Sequence, residues 1–260
     1  YHWMNRLDKQ EYSDLKKLTK YLDKIGYYSM LLVYDSGSED QWIKCASVVS
    51  KNQKIKFMIA MRTYAISPEY FSMMYNAFEE IVPNKLIFNI VSGDLHADEN
   101  SINDVLLIND EINTVEKRVA YTKKWMEKLK NINLIENMPE FIMAGASDET
   151  LKNASEIADC CLIMYNTFID NPERLKNNKN IMLSMAMVIR DSKEEADIFF
   201  QTLKENEKTW TLCGTETDIL EKIKYLKENG ITDILITRHK EDQMPEKIHN
   251  FILKINEGNN

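Results

Sequence analysis

Lys54-Ile55-Lys56-Phe57-Met58-Ile59-Ala60-Met61-Arg62, then Ser67-Pro68 at the head of a helical period, then Leu86-Ile87-Phe88-Asn89-Ile90-Val91-Ser92 read as one β-α-β repeat. Both apolar runs are nearly continuous, the pattern of parallel strands covered on two faces. Ser67 is a good N-cap and Pro68 suits the first helical position. Phe71, Met74, Phe78 and Ile81 then recur at helical spacing as far as Pro83. The same alternation extends outward in both directions. Tyr12–Lys24 carries Leu15, Leu18 and Leu22 on one stripe, stops at Gly26 and leads into the run Tyr28–Tyr34. Glu140–Gly145, Cys160–Tyr165, Ile181–Ile189 and Asp233–Thr237 follow as strands, and His2–Met4 is a fragment of an eighth. Helical periods start near Asp148 and cover Thr215–Leu226 and Lys247–Ile255. Strands that alternate with helices predict a parallel sheet. Eight such units in 260 residues predict one α/β domain over 1–260, a compact (β/α)8 TIM barrel with shortened insertions, since that barrel takes about 250 residues.

A composition of 44% hydrophobic and 28% charged residues is globular, and 7 Gly with 5 Pro exclude collagen-like and low-complexity classes. No apolar run approaches the ~20 residues that span a bilayer, and the first residues lack a signal-peptide core. The net charge of −8, with lysines interspersed among Glu and Asp, argues against a nucleic-acid partner. The arginines are Arg6, Arg62, Arg118, Arg174, Arg190 and Arg238, so an anion site draws on one of these, a lysine or backbone N–H groups. Cys45, Cys160, Cys161 and Cys213 form neither a CxxC pair nor a zinc spacing with the four histidines. They read as reduced core thiols of a cytoplasmic protein.

In such a barrel the chemistry lies just beyond the C-terminal ends of the strands. The sharpest signal there is Ala144-Gly145-Ala146-Ser147. Its small residues let backbone approach a ligand, and a helix that starts at Ser147 offers N–H groups to an anion. The same tetrapeptide also reads as a tight turn with an N-cap serine. Arg62 ends a strand, where it meets an anion or a carboxylate across the mouth. His96 lies in the irregular segment Gly93–Glu111, and Asp35 and Asp94 are candidate general bases. GxSxG, HExxH, P-loop and GxGxxG patterns are absent.

Several segments in the same order resemble the bacterial-luciferase-like flavin monooxygenases, the alkanesulfonate monooxygenase branch most nearly. They are Asp40-Gln41-Trp42, Lys54–Arg62, Ile66-Ser67-Pro68, Asn84–Gly93, Pro139–Ser147, and Cys213-Gly214-Thr215 with Gly230-Ile231-Thr232-Asp233. The resemblance implies an FMN-type barrel with its phosphate on Ala144, Gly145, Ala146 and Ser147. It implies that Asn89, Ser92 and Gly93 lie near the isoalloxazine, with Arg62 and Thr63 nearby and Met61 and Met143 as barrel or flavin-edge packing. Where the family carries an Arg-Tyr pair the chain has Thr114-Val115, and Arg118 sits one turn later as a possible substitute. Ser38, Ser184 and Ala186 stand where the alkanesulfonate branch has Cys, Arg and His, and Asp35 falls where luciferase has a catalytic His.

The activity implied is that of a monooxygenase acting with O2 on a small organic substrate, with Asp35 and His96 as catalytic candidates. It would use FMNH2 from a separate NAD(P)H:flavin reductase, without nucleic acid or membrane, and with homodimerisation as an option for the Phe71–Phe78 helix. The alternatives are a deazaflavin-dependent hydride-transfer protein and a flavin-binding protein without catalysis. The short connections Trp125–Pro139 and Arg190–Cys213 imply a trimmed barrel without the family's lid.

Overall fold

A computed structural model describes residues 1–5, 15–33, 39–91, 112–132, 138–239, 242, 244 and 246–258. Its strands are β1 (His2–Asn5), β2 (Ser29–Leu32), β3 (Lys56–Met61), β4 (Leu86–Val91), β5 (Glu140–Ala144), β6 (Cys160–Met164), β7 (Ile181–Ile189), β8 (Thr211–Gly214) and β9 (Asp233–Arg238). All pair in parallel. β1 to β7 follow in chain order, and β9 pairs with both β7 and β1, so eight strands close a (β/α)8 TIM barrel. The predicted barrel is therefore present, with one correction. Thr211–Gly214 forms a ninth strand on the upper half of β7, at Ala186–Ile189, just past the point where β6 leaves that edge at Ser184. Four residues whose partner lies on another strand have no local period to announce them.

The outer layer comprises α1 (Leu15–Ile25), α2 (Gln41–Val48), α3 (Pro68–Ile81), α4 (Val115–Lys130), α5 (Asp148–Ile157), α6 (Tyr165–Asp170), α7 (Lys193–Thr202), α8 (Glu205–Lys208), α9 (Glu216–Glu228) and α10 (Glu246–Gly258). Ser67 caps α3 as predicted, accepting from the Tyr70 N–H at 3.1 Å, with Pro68 in the first turn. The seam between strands and helices is aromatic. Phe71 of α3 meets Trp42, Phe88 and Trp125 edge-on, and the Trp125 indole donates to the Ile66 carbonyl at 2.8 Å. Met61 and Met143 belong to this helix-facing core. Alternation along their strands turns them away from the barrel interior, which removes them from a flavin edge. Cys45, Cys160 and Cys161 are buried free thiols, with Cys213 half-buried.

The inward residues stack in layers given by alternate strands. The registers place Ser29, Ile87, Cys160 and Asp233 in the lowest layer, then His2, Met58, Ile142 and Met182, then Leu31, Asn89, Leu162 and Leu235, then Met4, Ala60, Ala144 and Ser184, with Val33, Val91, Met164 and Thr237 nearest the mouth. The N-terminal end is closed by polar side chains bonded to one another. His2 lies 2.7 Å from the Ser29 hydroxyl and 3.0 Å from the Asp233 carboxylate, and Lys56 donates to the Tyr28 hydroxyl at 2.7 Å. Burial lowers the His2 pKa and raises that of Glu140 at the same end. No helix among the described residues is long and apolar enough to cross a membrane.

Candidate active site

The mouth of the barrel is built chiefly from the ends of β3, β4 and β5. At β5 the chain leaves the sheet through Gly145, with φ +150°, a region that side chains rarely adopt. A Cβ at this position would lie 2.7 Å from Thr150 Cγ2. The close approach of turn to helix therefore requires glycine on two counts. The Gly145 N–H donates to the Leu162 carbonyl at 3.1 Å, fixing the turn to β6. Ser147 then caps α5, its hydroxyl accepting from the Thr150 N–H at 3.1 Å and lying 2.8 Å from the Thr150 hydroxyl. Ala144 and Gly145 are half-buried, whereas Ala146 and Ser147 are exposed. The four residues thus form the short, small-side-chain entry to a helix N-terminus that the sequence implied.

A cation absent from the sequence-based site joins this turn. Arg174, in the turn Pro172–Leu175 that follows α6, donates to the Ala146 carbonyl at 2.7 Å. Its guanidinium also reaches the Asp148 carboxylate, at 2.9 Å from Nε and 2.6 Å from Nη2. Asp148 and Glu149 are the acidic first turn of α5, and they compete with any anion for the same N–H groups. Arg174 offsets part of that competition. Its side chain keeps a third of its exposure, so the pair is partly screened by water.

On β3, alternation sends Met58, Ala60 and Arg62 inward and Thr63 outward. Arg62 is buried at the rim, in extended backbone, 6.0 Å from the Tyr64 ring centroid. Thr63 is buried against α4, its hydroxyl 2.9 Å from that of Thr122, which in turn donates to the Arg118 carbonyl at 3.0 Å. Arg118 is 2% exposed and donates to the Ile112 carbonyl at 3.2 Å. Thr63 therefore joins the end of β3 to α4, and Arg118 ties α4 to Ile112 just before it. Asn89 lies inside the barrel, two layers below the layer of Val91 and Thr237 at the mouth. Ser184 and Ala186 also point inward, so the positions where the resemblance expects Arg and His carry small uncharged side chains. Asp35, Ser92, Gly93 and His96 lie outside the described residues. No group of three or more His, Cys, Asp or Glu among the described residues is placed to hold a metal ion.

Arg174 follows Gly145 too distantly in sequence to announce its contact with Ala146, and only the folded barrel joins them. What the mouth offers chemically is a glycine cradle at a helix N-terminus with a guanidinium beside it, a second guanidinium at Arg62, and an amide below.

No family model matches the chain. Solved structures share its fold at low identity. One is the coenzyme F420-dependent tetrahydromethanopterin reductase from Methanopyrus kandleri, 12% identical with a TM-score of 0.74, over 98% of this chain and 97% of that one. Another is a long-chain alkane monooxygenase, 12% identical with a TM-score of 0.74, over 97% and 86%. A third is the oxygenating constituent of 3,6-diketocamphane monooxygenase from the CAM plasmid of Pseudomonas putida, in complex with FMN, 13% identical with a TM-score of 0.69, over 96% and 92%. At these identities the likeness establishes the barrel fold.

Proposed function

We propose that the chain is a luciferase-like, flavin-dependent oxidoreductase. In this reading it is a monooxygenase that takes FMNH2 from a separate NAD(P)H:flavin reductase and acts with O2 on a small, uncharged organic substrate. The observation that carries the reading is the Gly145 turn, a cradle that a single Cβ would fill, at the start of α5 and beside Arg174. It fits a phosphoryl group. The buried Asn89 Oδ1, which no described residue bonds, fits the polar edge of a ring. The two lie on neighbouring strands, as a cofactor with a phosphoryl tail and a planar head requires. The fold shared with a monooxygenase solved with FMN supports the same reading.

When bound, the reduced flavin supplies the two electrons by which one oxygen atom enters the substrate and the other leaves as water. The chain contributes binding and orientation. The backbone N–H groups of Ala146 and Ser147, presented by the Gly145 turn, would hold the phosphoryl tail, and Arg174 would add a charge-assisted contact. Arg62 at the rim stabilises negative charge near the ring. Ser184 and Ala186 leave the interior uncharged, which argues against a sulfonate substrate.

A deazaflavin-dependent hydride transfer is the second reading. It is favoured by the reductase that depends on coenzyme F420, whose whole length this chain nearly covers. Purified protein is mixed with FMN or with coenzyme F420, passed through gel filtration and examined by absorbance and mass. Retention of FMN, with O2 uptake from FMNH2 above that of free flavin, supports the monooxygenase. Retention of F420 without such uptake transfers the assignment to hydride transfer. Retention of neither at micromolar concentration refutes both readings.

A further inference from the structure

The interior layer nearest the mouth is Val33, Val91, Met164 and Thr237. Its members differ in exposure. Val33 and Val91 are half-buried and Thr237 is 9% exposed, whereas Met164 is 42% exposed. Of the 14 methionines, the other exposed ones are Met73 on α3, Met138 just before β5 at the base, and Met244 beside Asp242 after β9. Met58 and Met182, deeper in the interior, are buried, as are Met61 and Met143 in the helix-facing core, and Met4 one layer down is half-buried. Met164 is therefore the most open thioether inside the barrel. It also lies beside the cradle, since the Leu162 carbonyl on the same strand anchors the Gly145 turn. The cysteines do not compete for an oxidant there. Burial raises the thiol pKa of Cys213 to about 11 and of Cys161 to about 12, so the reactive thiolate is scarce.

Resting on the flavin reading above, we propose that Met164 is a site of reversible oxidation, at which hydrogen peroxide formed in the mouth converts the thioether to a sulfoxide and weakens flavin binding. Reduced flavin that meets O2 without a substrate passes on two electrons and two protons, giving oxidised flavin and hydrogen peroxide. A lone pair of the Met164 sulfur then attacks one peroxide oxygen, and the O–O bond breaks. The attacked oxygen stays on sulfur and the other leaves as water, so sulfur is oxidised by two electrons and peroxide is reduced by the same two. The sulfoxide makes a flexible apolar side chain polar. Its neighbours Val33 and Val91 offer that oxygen no side-chain donor, so covering it with a ring costs affinity. Methionine sulfoxide reductases reverse the change, a pair of thiols becoming a disulfide as the oxygen leaves as water. The mouth thus responds to turnover that yields peroxide instead of product, and the loss is recoverable.

The test compares the parent protein with Met164→Leu, which keeps the volume and removes the sulfur. Both are treated with hydrogen peroxide, mapped by peptide mass, and titrated with FMN before and after treatment. Met164 of the parent gains one oxygen atom, and the parent's FMN affinity falls about three- to thirtyfold on treatment. Methionine sulfoxide reductases with dithiothreitol restore it, and M164L shows no such fall. The oxidant is then made in place, from FMN, NADH, a flavin reductase and O2, with catalase present to remove peroxide that escapes. Met164 gains oxygen under these conditions, whereas Met73, Met138 and Met244 do not. Three results each overturn the inference while leaving the flavin reading in place: Met164 unoxidised in bulk peroxide, an equal fall in M164L, or oxidation of Met164 that catalase suppresses as fully as that of Met73. A parent protein that does not bind FMN before treatment overturns the flavin reading itself, and this inference with it.

Discussion

Replacing Gly145 by alanine tests the cradle directly. Two separate costs follow from its geometry. The φ of +150° is nearly closed to a residue with a Cβ, which costs about 1–3 kcal/mol. The new methyl would also lie 2.7 Å from Thr150 Cγ2 and 3.2 Å from both Thr150 Cβ and Oγ1. Thr150 cannot swing aside freely, because it is 1% exposed and its N–H is bonded to the Ser147 hydroxyl. Overpacking of this kind costs about 1–3 kcal/mol. The sum, about 2–6 kcal/mol, corresponds to a fall in unfolding temperature of roughly 5 to 20 °C for a chain of this size. Thr150→Ser in the G145A background removes the nearest contact, Cγ2, and leaves the backbone strain. The double variant should recover about half of the loss. Circular-dichroism melting of G145A, T150S and the pair gives these numbers, and FMN titration of the same proteins gives the binding loss. A G145A protein that melts within about 2 °C of the parent refutes the cradle. A double variant no better than G145A refutes the steric half of the reasoning.

Two further predictions concern charge. Arg174→Ala should weaken FMN about three- to tenfold and leave riboflavin, which has no phosphoryl group, unchanged; Asp148→Asn should strengthen FMN about threefold by removing a rival anion from the helix N-terminus. Fluorescence titration with both ligands reads this, and equal effects on the two ligands contradict a phosphoryl site. His249 lies 3.2 Å from the Tyr27 hydroxyl and against Trp3 and Tyr21, where burial pushes its pKa down to about 4. Its folded-state value is below the unfolded one, so the unfolded chain takes up the proton first, and stability is lost as the pH falls from about 6.5 to about 4. His249→Phe keeps an aromatic ring and should flatten that acid limb in urea unfolding series at successive pH values. An unchanged limb shows that the loss arises elsewhere.

The parallel strands were legible because each is buried on both faces, so that Lys56–Met61 and Leu86–Val91 read as unbroken apolar runs. The Ser147 cap was legible for a local reason, since cap and partner lie three residues apart. β8 was not, because the four residues Thr211–Gly214 become a strand only by pairing with the far half of β7. Arg62 and Thr63 looked equivalent as strand-end residues, yet alternation sends one to the mouth and the other to Thr122 on α4. The place of Asn89 among leucines depends on register around the closed barrel, which no single segment carries. Arg174 reaches Ala146 only after β6 and α6 have brought the chain back.

The two ends of the barrel interior differ in how their polar groups are satisfied. At the N-terminal end the polar groups are committed to each other, with His2 between Ser29 and Asp233 and Lys56 on Tyr28. Opening that end breaks the buried bond of His2 to Ser29 and its part-buried bond to Asp233, and a buried group left without its partner carries a cost of about 1–3 kcal/mol. Toward the other end the layer of Ala60, Ala144 and Ser184 lies beneath Val91, Met164 and Thr237, and below it Asn89 Oδ1 has no donor among the described residues. Bonded polar groups thus fix the barrel at its base, whereas the layer above Asn89 carries small side chains and no such network among the described residues.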